Sequence, residues 1–246
     1  TPIQHWFLQP NPPDVHHYNQ SFLLEVPAEL AAQALQRALD AVCARHDALR
    51  LRFRQVDGVW HQHLSEHATA LLDTVPPPAD PVGWHALLEQ GSADNQTRLN
   101  IEQGPLLRLV LYAPPAGSAT ARLHIVAHHL VIDAVSWRAL LEDLFDAYAQ
   151  AQNSTTVSLP PARASFAQWA AAVERHAASS QARDELGYWL DQSRNTARLP
   201  VLRTDIAATV GAAHTMGFTL DETATGTLVR ELPRSHGAQV QEILLT

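Results

Sequence analysis

Lysine is absent: all 17 basic residues of the 246-residue chain are arginine. Schiff-base chemistry and a lysine general base are thereby excluded. Cysteine occurs once, as Cys43, so no disulfide can form within the chain and nothing points to an oxidising compartment. No apolar run approaches membrane-spanning length, and the opening TPIQHWFLQP lacks the basic start and apolar centre of a signal peptide. The basic residues are scattered and the net charge is −8, the reverse of the basic face that a nucleic-acid partner requires. G-x-S-x-G, P-loop and G-x-G-x-x-G patterns are also missing, so serine-hydrolase, NTPase and dinucleotide chemistry lack their parts. The expectation is a cytoplasmic protein with no nucleic-acid or membrane partner.

What is present suffices for a sizeable core, since 46% of residues are hydrophobic and 17% charged. YNQSFLLEV (18–26) suits a strand, and 28–46 places Leu30, Leu35, Leu39, Val42 and Cys43 on one side of a helix. LRLRFRQV then alternates, with Leu49, Leu51 and Phe53 facing in and Arg50, Arg52 and Arg54 expected on a solvated face. Asp57-Gly58 signals a hairpin into the strand VWHQHL. The proline-rich stretch 75–81 reads as a loop and 82–90 as a short helix.

LLRLVLY (106–112) and ARLHIVAHH (121–129) form a second strand pair. Leu123, Ile125 and Ala127 lie on one face of the latter, and Arg122, His124, Val126 and His128 on the other. After Asp133, Val135, Trp137, Leu140, Leu141, Leu144, Phe145 and Tyr148 recur at helical spacing. Residues 151–164 read as a linker, 165–178 and 183–191 as helices, AHTMGFTL (213–220) as strand-like, and a further helix begins near Asp221. Mixed strands and helices joined by hairpins and crossovers make an α/β sandwich rather than a doubly wound sheet.

The stretch HHLVIDAVSW (128–137) lies where a strand hands over to this helix. Imidazole, with a free pKa of about 6.5, is well suited to accept a proton near neutrality. Asp133 can fix a tautomer or hold the turn, and the backbone N–H groups of the following helix point toward it. If extended geometry holds, His128 and His129 face opposite sides and cannot share one task. The competing readings are two polar residues finishing a strand, or a metal site using His124 and His128 or His61 and His63. Thiolate ligands and an H-E-x-x-H pattern are both missing for the latter. Ser136 suits capping or packing, Cys43 an inert core thiol, and Trp60, Trp84, Trp169 and Trp189 core anchors.

His128-His129-Leu-Val-Ile-Asp133 matches the HHxxxDG signature of the condensation superfamily of nonribosomal peptide synthetases. RHDALRLRF (45–53), LNIEQGPLLRLVL (99–111) and GYWL (187–190) resemble further elements of that superfamily, in order. TPIQHWF (1–7), D-x-V-S-W (133–137) and, more loosely, AQVQEILLT (238–246) resemble its epimerization domains rather than its condensation domains.

The resemblance implies a chloramphenicol-acetyltransferase-like α/β sandwich with a mixed sheet, the first lobe of a two-lobed, V-shaped domain over 1–180 and the start of the second over 181–246. It further implies cofactor-independent inversion, L to D, at the α-carbon of an aminoacyl or peptidyl thioester. A partner peptidyl carrier protein delivers that thioester on its phosphopantetheine arm. The other implied partners are the remaining half of the domain and neighbouring synthetase modules. By carry-over His129 is the acid/base residue, His128 supports it and Asp133 orients the loop. Ala134, Ser136 and Trp137 border the substrate channel, and no metal takes part. The opposing glutamate of the family is expected beyond Thr246, and the isolated segment is expected to be inactive. Ala134 stands where the signature has glycine. The alternatives are a condensation domain and a non-catalytic carrier-docking module.

Overall fold

The computed structural model describes residues 1–66, 70–78, 81–194 and 209–245. The chain divides into two compact units, Thr1–Leu190 and Asp191–Thr246.

The first unit is organised around a four-stranded sheet built from β1 (Asn19–Pro27), β4 (Leu71–Val75), β5 (Leu107–Tyr112) and β6 (Thr120–His128). Its order is β1-β6-β5-β4, with β5 antiparallel to β6, β6 antiparallel to β1, and β4 parallel to β5. All six residues of β5 are buried, because both of its faces are covered. Leu107, Leu109 and Leu111 join Leu123, Ile125 and Ala127 of β6 in the main core, as the alternation requires. Helices α2 (Ala32–Arg45) and α4 (Ala134–Asn153) close this face with Leu35, Leu39, Val42, Trp137, Leu140 and Leu144. Cys43 is buried there and its thiol is pushed up to about 12, mainly by desolvation, which makes it inert.

Polar contacts stitch the two helices together. The Tyr148 hydroxyl accepts from the N–H of Ala31, the N-cap of α2, at 3.0 Å. Arg37 donates to the Ala151 carbonyl near the end of α4 at 2.7 Å, and Asp143 accepts from Arg45 at 2.7 Å.

On the other face, α3 (Trp84–Gln96) lays Leu88 and half-buried Trp84 on Val110 and Tyr112. Gly91 permits the approach: a Cβ there would meet the Tyr112 hydroxyl at 2.5 Å. A third cluster joins Leu8 of α1 (Pro2–Leu8) to Leu51 and Phe53 of β2 (Leu51–Val56), Ile101, Leu106 and Leu130. β2 pairs with β3 (Val59–Leu64) through a turn in which Asp57 (φ 49°) and Gly58 (φ 79°) are both left-handed, the hairpin expected of Asp-Gly. Helices α5 (Phe166–Ala177) and α6 (Ser180–Arg194) follow.

Several expectations need correction. Arg52 is only 3% exposed, its guanidinium donating to the Leu51 carbonyl, so the arginines of β2 do not share a solvated face. β4 covers residues to which no element was assigned and ends at Val75, where the loop was expected to begin, α3 runs on to Gln96, and the linker begins after Asn153. Trp169 and Trp189 are each 60% exposed rather than core anchors, while Trp60 is half-buried. In the second unit, residues 213–220 form no strand. A strand needs a partner for its backbone groups, and no described residue pairs with this stretch, which leaves Met216 and Phe218 exposed.

The helix after Asp221 is present as α7 (Glu222–Gly226), followed by a π turn at 227–231, α8 (Leu232–His236) and α9 (Val240–Leu244). Asp221 caps α7 by accepting from Ala224 N–H at 2.7 Å. The π turn precedes Pro233, whose ring cannot follow an undistorted α-turn.

Candidate functional site

The end of β6 separates the two adjacent histidines. His128 closes the strand on the face away from the main core, under Phe7 and Tyr18, and is fully buried. Its Nε2 lies 2.9 Å from the Val15 carbonyl, which can only accept, so Nε2 carries the proton. Its Nδ1 then accepts from the N–H of Leu130 at 3.2 Å. Desolvation holds this imidazole down at about 4, against the smaller opposing effect of the Val15 hydrogen bond. A neutral ring with both nitrogens engaged fastens the segment before β1 to the turn after β6.

His129 lies one residue beyond the strand and is half-buried. Its backbone N–H donates to the Tyr18 carbonyl at 2.7 Å, prolonging the β1–β6 ladder and fixing where the side chain starts. The Nδ1 atom lies 2.7 Å from the Ile132 carbonyl, so here it is Nδ1 that carries the proton. Nε2 is therefore the lone-pair nitrogen, and it faces the Gln20 amide nitrogen at 3.1 Å. One face of the ring is covered by Tyr18, stacked at a centroid distance of 5.0 Å and 27° between planes. Phe7 stacks on Tyr18 in turn at 4.7 Å and 14°.

Asp133 is exposed and is the N-cap of α4. Its Oδ1 accepts from the Ser136 N–H at 2.7 Å and the Ser136 hydroxyl at 2.6 Å, which holds the carboxyl below the usual range. The aspartate holds the turn through backbone and hydroxyl donors, and the Ile132 carbonyl, not Asp133, sets the tautomer of His129. Ser136 is thus a capping partner. Ala134 is exposed in the first turn of α4. Trp137 is buried, packs edge-on against Phe22, and donates its indole N–H to Gln20 Oε1 at 2.7 Å.

His124, His61 and His63 take no part. His124 is buried and its Nδ1 accepts from Asn95 at 3.1 Å, while Asn95 Oδ1 accepts from Arg108, which also pairs closely with Asp73. His61 and His63 stand exposed on β3. Among the described residues no group of three or more metal-ligating side chains gathers.

Sequence reasoning missed Gln20, Tyr18 and Phe7 as parts of this site. The signal for Gln20 was available: on β1 it shares a face with Leu24 and Val26, which are packed into the core, so a glutamine there needs polar partners. As a chemical device the site holds one unprotonated imidazole nitrogen, oriented from behind by a carbonyl and from the side by an aromatic ring, and met in this conformation by the Gln20 amide.

The condensation-domain family matches the chain over residues 1–246. One protein of the linear gramicidin synthase of Brevibacillus parabrevis is 36% identical over 251 residues, covering 100% of this chain and 5% of that protein. The crystal structure of the epimerization domain from the third module of tyrocidine synthetase B superposes with a TM-score of 0.84 at 30% identity. The match covers 100% of this chain and 56% of that one. The starter condensation domain of rhizomide synthetase shares the fold, with a TM-score of 0.63 at 22% identity over 79% of this chain. The chain spans about half the length of the tyrocidine synthetase domain. With the buried first histidine, the oriented second and the capping aspartate all in their motif positions, this chain belongs to the condensation-domain family, with an α/β mixed-sheet fold that matches an epimerization domain.

Proposed function

We propose that the chain supplies the histidine side of an epimerization site, inverting the α-carbon of a thioester that a carrier protein presents on its phosphopantetheine arm. The observation that carries this proposal is the forced tautomer of His129, with Nδ1–H on the Ile132 carbonyl and a lone pair on Nε2. The likeness to the tyrocidine synthetase epimerization domain supports the choice of reaction within the family.

In the proposed step Nε2 of His129 takes the substrate's α-proton. The electron pair of the broken C–H bond passes into the thioester carbonyl as an enolate. A proton then returns to the opposite face of the carbon, from an acid that the resemblance expects outside this chain. The imidazolium formed on His129 keeps its Nδ1–H on Ile132, so no second proton has to move. His128 and Asp133 act through position: one fastens the segment under the site, the other caps α4. Carrier protein, remaining domain half and neighbouring modules are the partners, and the cytoplasm is the compartment this chemistry implies.

The test uses the full-length protein with its carrier loaded with an L-aminoacyl thioester, followed by chiral separation of the released amino acid. A mixture of D and L forms is expected. Amide product with unchanged chirality would instead assign condensation, and carrier binding without either reaction would assign a docking role.

A further inference from the structure

Gln20 stands between two groups whose hydrogen-bonding sense is fixed. The indole N–H of Trp137 can only donate, so the atom of Gln20 facing it at 2.7 Å must be the carbonyl oxygen. The amide nitrogen of Gln20 therefore faces His129, where it can only donate, to Nε2 at 3.1 Å. The Ile132 carbonyl makes the same demand from the other side of the ring. Indole, amide, imidazole and carbonyl thus form one directed chain, Trp137 to Gln20 to His129 to Ile132, in which every proton has a single permitted place.

The backbone fixes the span of this chain. Gln20 pairs with Ala127 on β6, two residues before His129, and Trp137 sits in the first turn of α4, four residues after its N-cap. The strand that carries the polar side chain and the helix that carries its anchor therefore meet beside the imidazole. Trp137 is 4% exposed, and its indole N–H has Gln20 as its partner.

We infer that Gln20 is a positioning residue for the reaction: anchored by Trp137, it holds the imidazole of His129 by donating to Nε2 and gives way when that nitrogen takes a proton. The inference rests on His129 being the base. Once Nε2 holds the substrate's proton, two donors confront each other across the 3.1 Å contact. The amide cannot relieve this by turning over, because its NH2 would then face the indole N–H. Gln20 must withdraw, and it returns when the proton leaves Nε2.

Tyr18, His128 and Asp133 are titratable groups beside the ring, His16 and His17 act on His128 from the segment before β1, and none needs to change in the test. The test is nitrogen NMR of ¹⁵N-histidine-labelled full-length protein at fixed alkaline pH, with α-proton exchange of a loaded carrier measured in parallel. Wild type should show His129 in the Nδ1–H form alone. Gln20→Leu should keep the Nδ1–H form that the Ile132 carbonyl holds, move the Nε2 resonance to that of a nitrogen accepting no hydrogen bond, and slow exchange by about tenfold or more. Trp137→Phe frees the amide to turn and should also release Nε2, which keeps the test decisive if Gln20→Leu does not fold. An Nε2 resonance unaltered in the folded variants overturns the inference. A shifted spectrum in a protein whose wild type exchanges no α-proton would uphold the hydrogen-bond chain while defeating the proposed function.

Discussion

The ring of Tyr18 lies stacked on the imidazole of His129, 5.0 Å between centroids, and carries Phe7 on its far side. Phe7 ends the TPIQHWF stretch, and Trp137 ends the D-x-V-S-W stretch. The two segments that set this chain apart in sequence from condensation domains therefore both reach the same imidazole, one through stacked rings and one through Gln20.

A double-mutant cycle on that stack, Phe7→Leu with Tyr18→Leu, should give a coupling of about 0.5–1.5 kcal/mol in urea unfolding. Tyr18→Leu alone should also slow α-proton exchange, because the ring of His129 loses the surface that fixes its plane.

His128 predicts an acid-sensitive stability. Its folded value, about 4, lies below the unfolded value of about 6.5. The unfolded chain therefore binds the proton more readily. The contribution is fully present above about pH 6.5 and is lost as pH falls toward 4, amounting to about 3 kcal/mol. Urea unfolding at pH 7 and pH 4.5 should show this loss in wild type and a smaller one in His128→Asn.

Asp133→Ala removes the cap of a 20-residue helix and should cost about 1 kcal/mol. Asp133→Ser should recover most of that, since a hydroxyl also accepts from the Ser136 N–H. Thermal melts of the three proteins decide it, and an alanine variant as stable as the serine variant would contradict the capping role.

Ala134 stands exposed where the motif has glycine. Ala134→Gly should lower stability by about 0.5–1 kcal/mol through backbone entropy in the first turn of α4. Its exchange rate should stay within about threefold of wild type, because no buried space is gained. A much larger rise in rate would show that the methyl group obstructs substrate.

The sequence made β6 legible because its alternation was strict, and α4 because seven apolar residues recur at helical spacing after Asp133. Asp57-Gly58 announced its turn for the same reason, a local signal unaffected by the rest of the fold. β4 was not legible: LLDTV is short, borders a proline run, and is a strand only because β5 runs parallel beside it. Arg52 and Gln20 escaped notice because burial of a polar side chain depends on partners distant in sequence, here Trp137 and His129 for Gln20. AHTMGFTL has the composition of a strand but pairs with no described residue. The histidine pair divided as strand geometry expected, while the source of the His129 tautomer, a carbonyl three residues on, was invisible without coordinates.

The most direct test is deuterium uptake at the α-carbon of a carrier-bound L-aminoacyl thioester, comparing full-length wild-type protein with His129→Ala in heavy water. Uptake by the wild type, reduced about 100-fold or more in the variant, is the expected result. Equal uptake by both proteins would remove His129 from the chemistry and contradict the account.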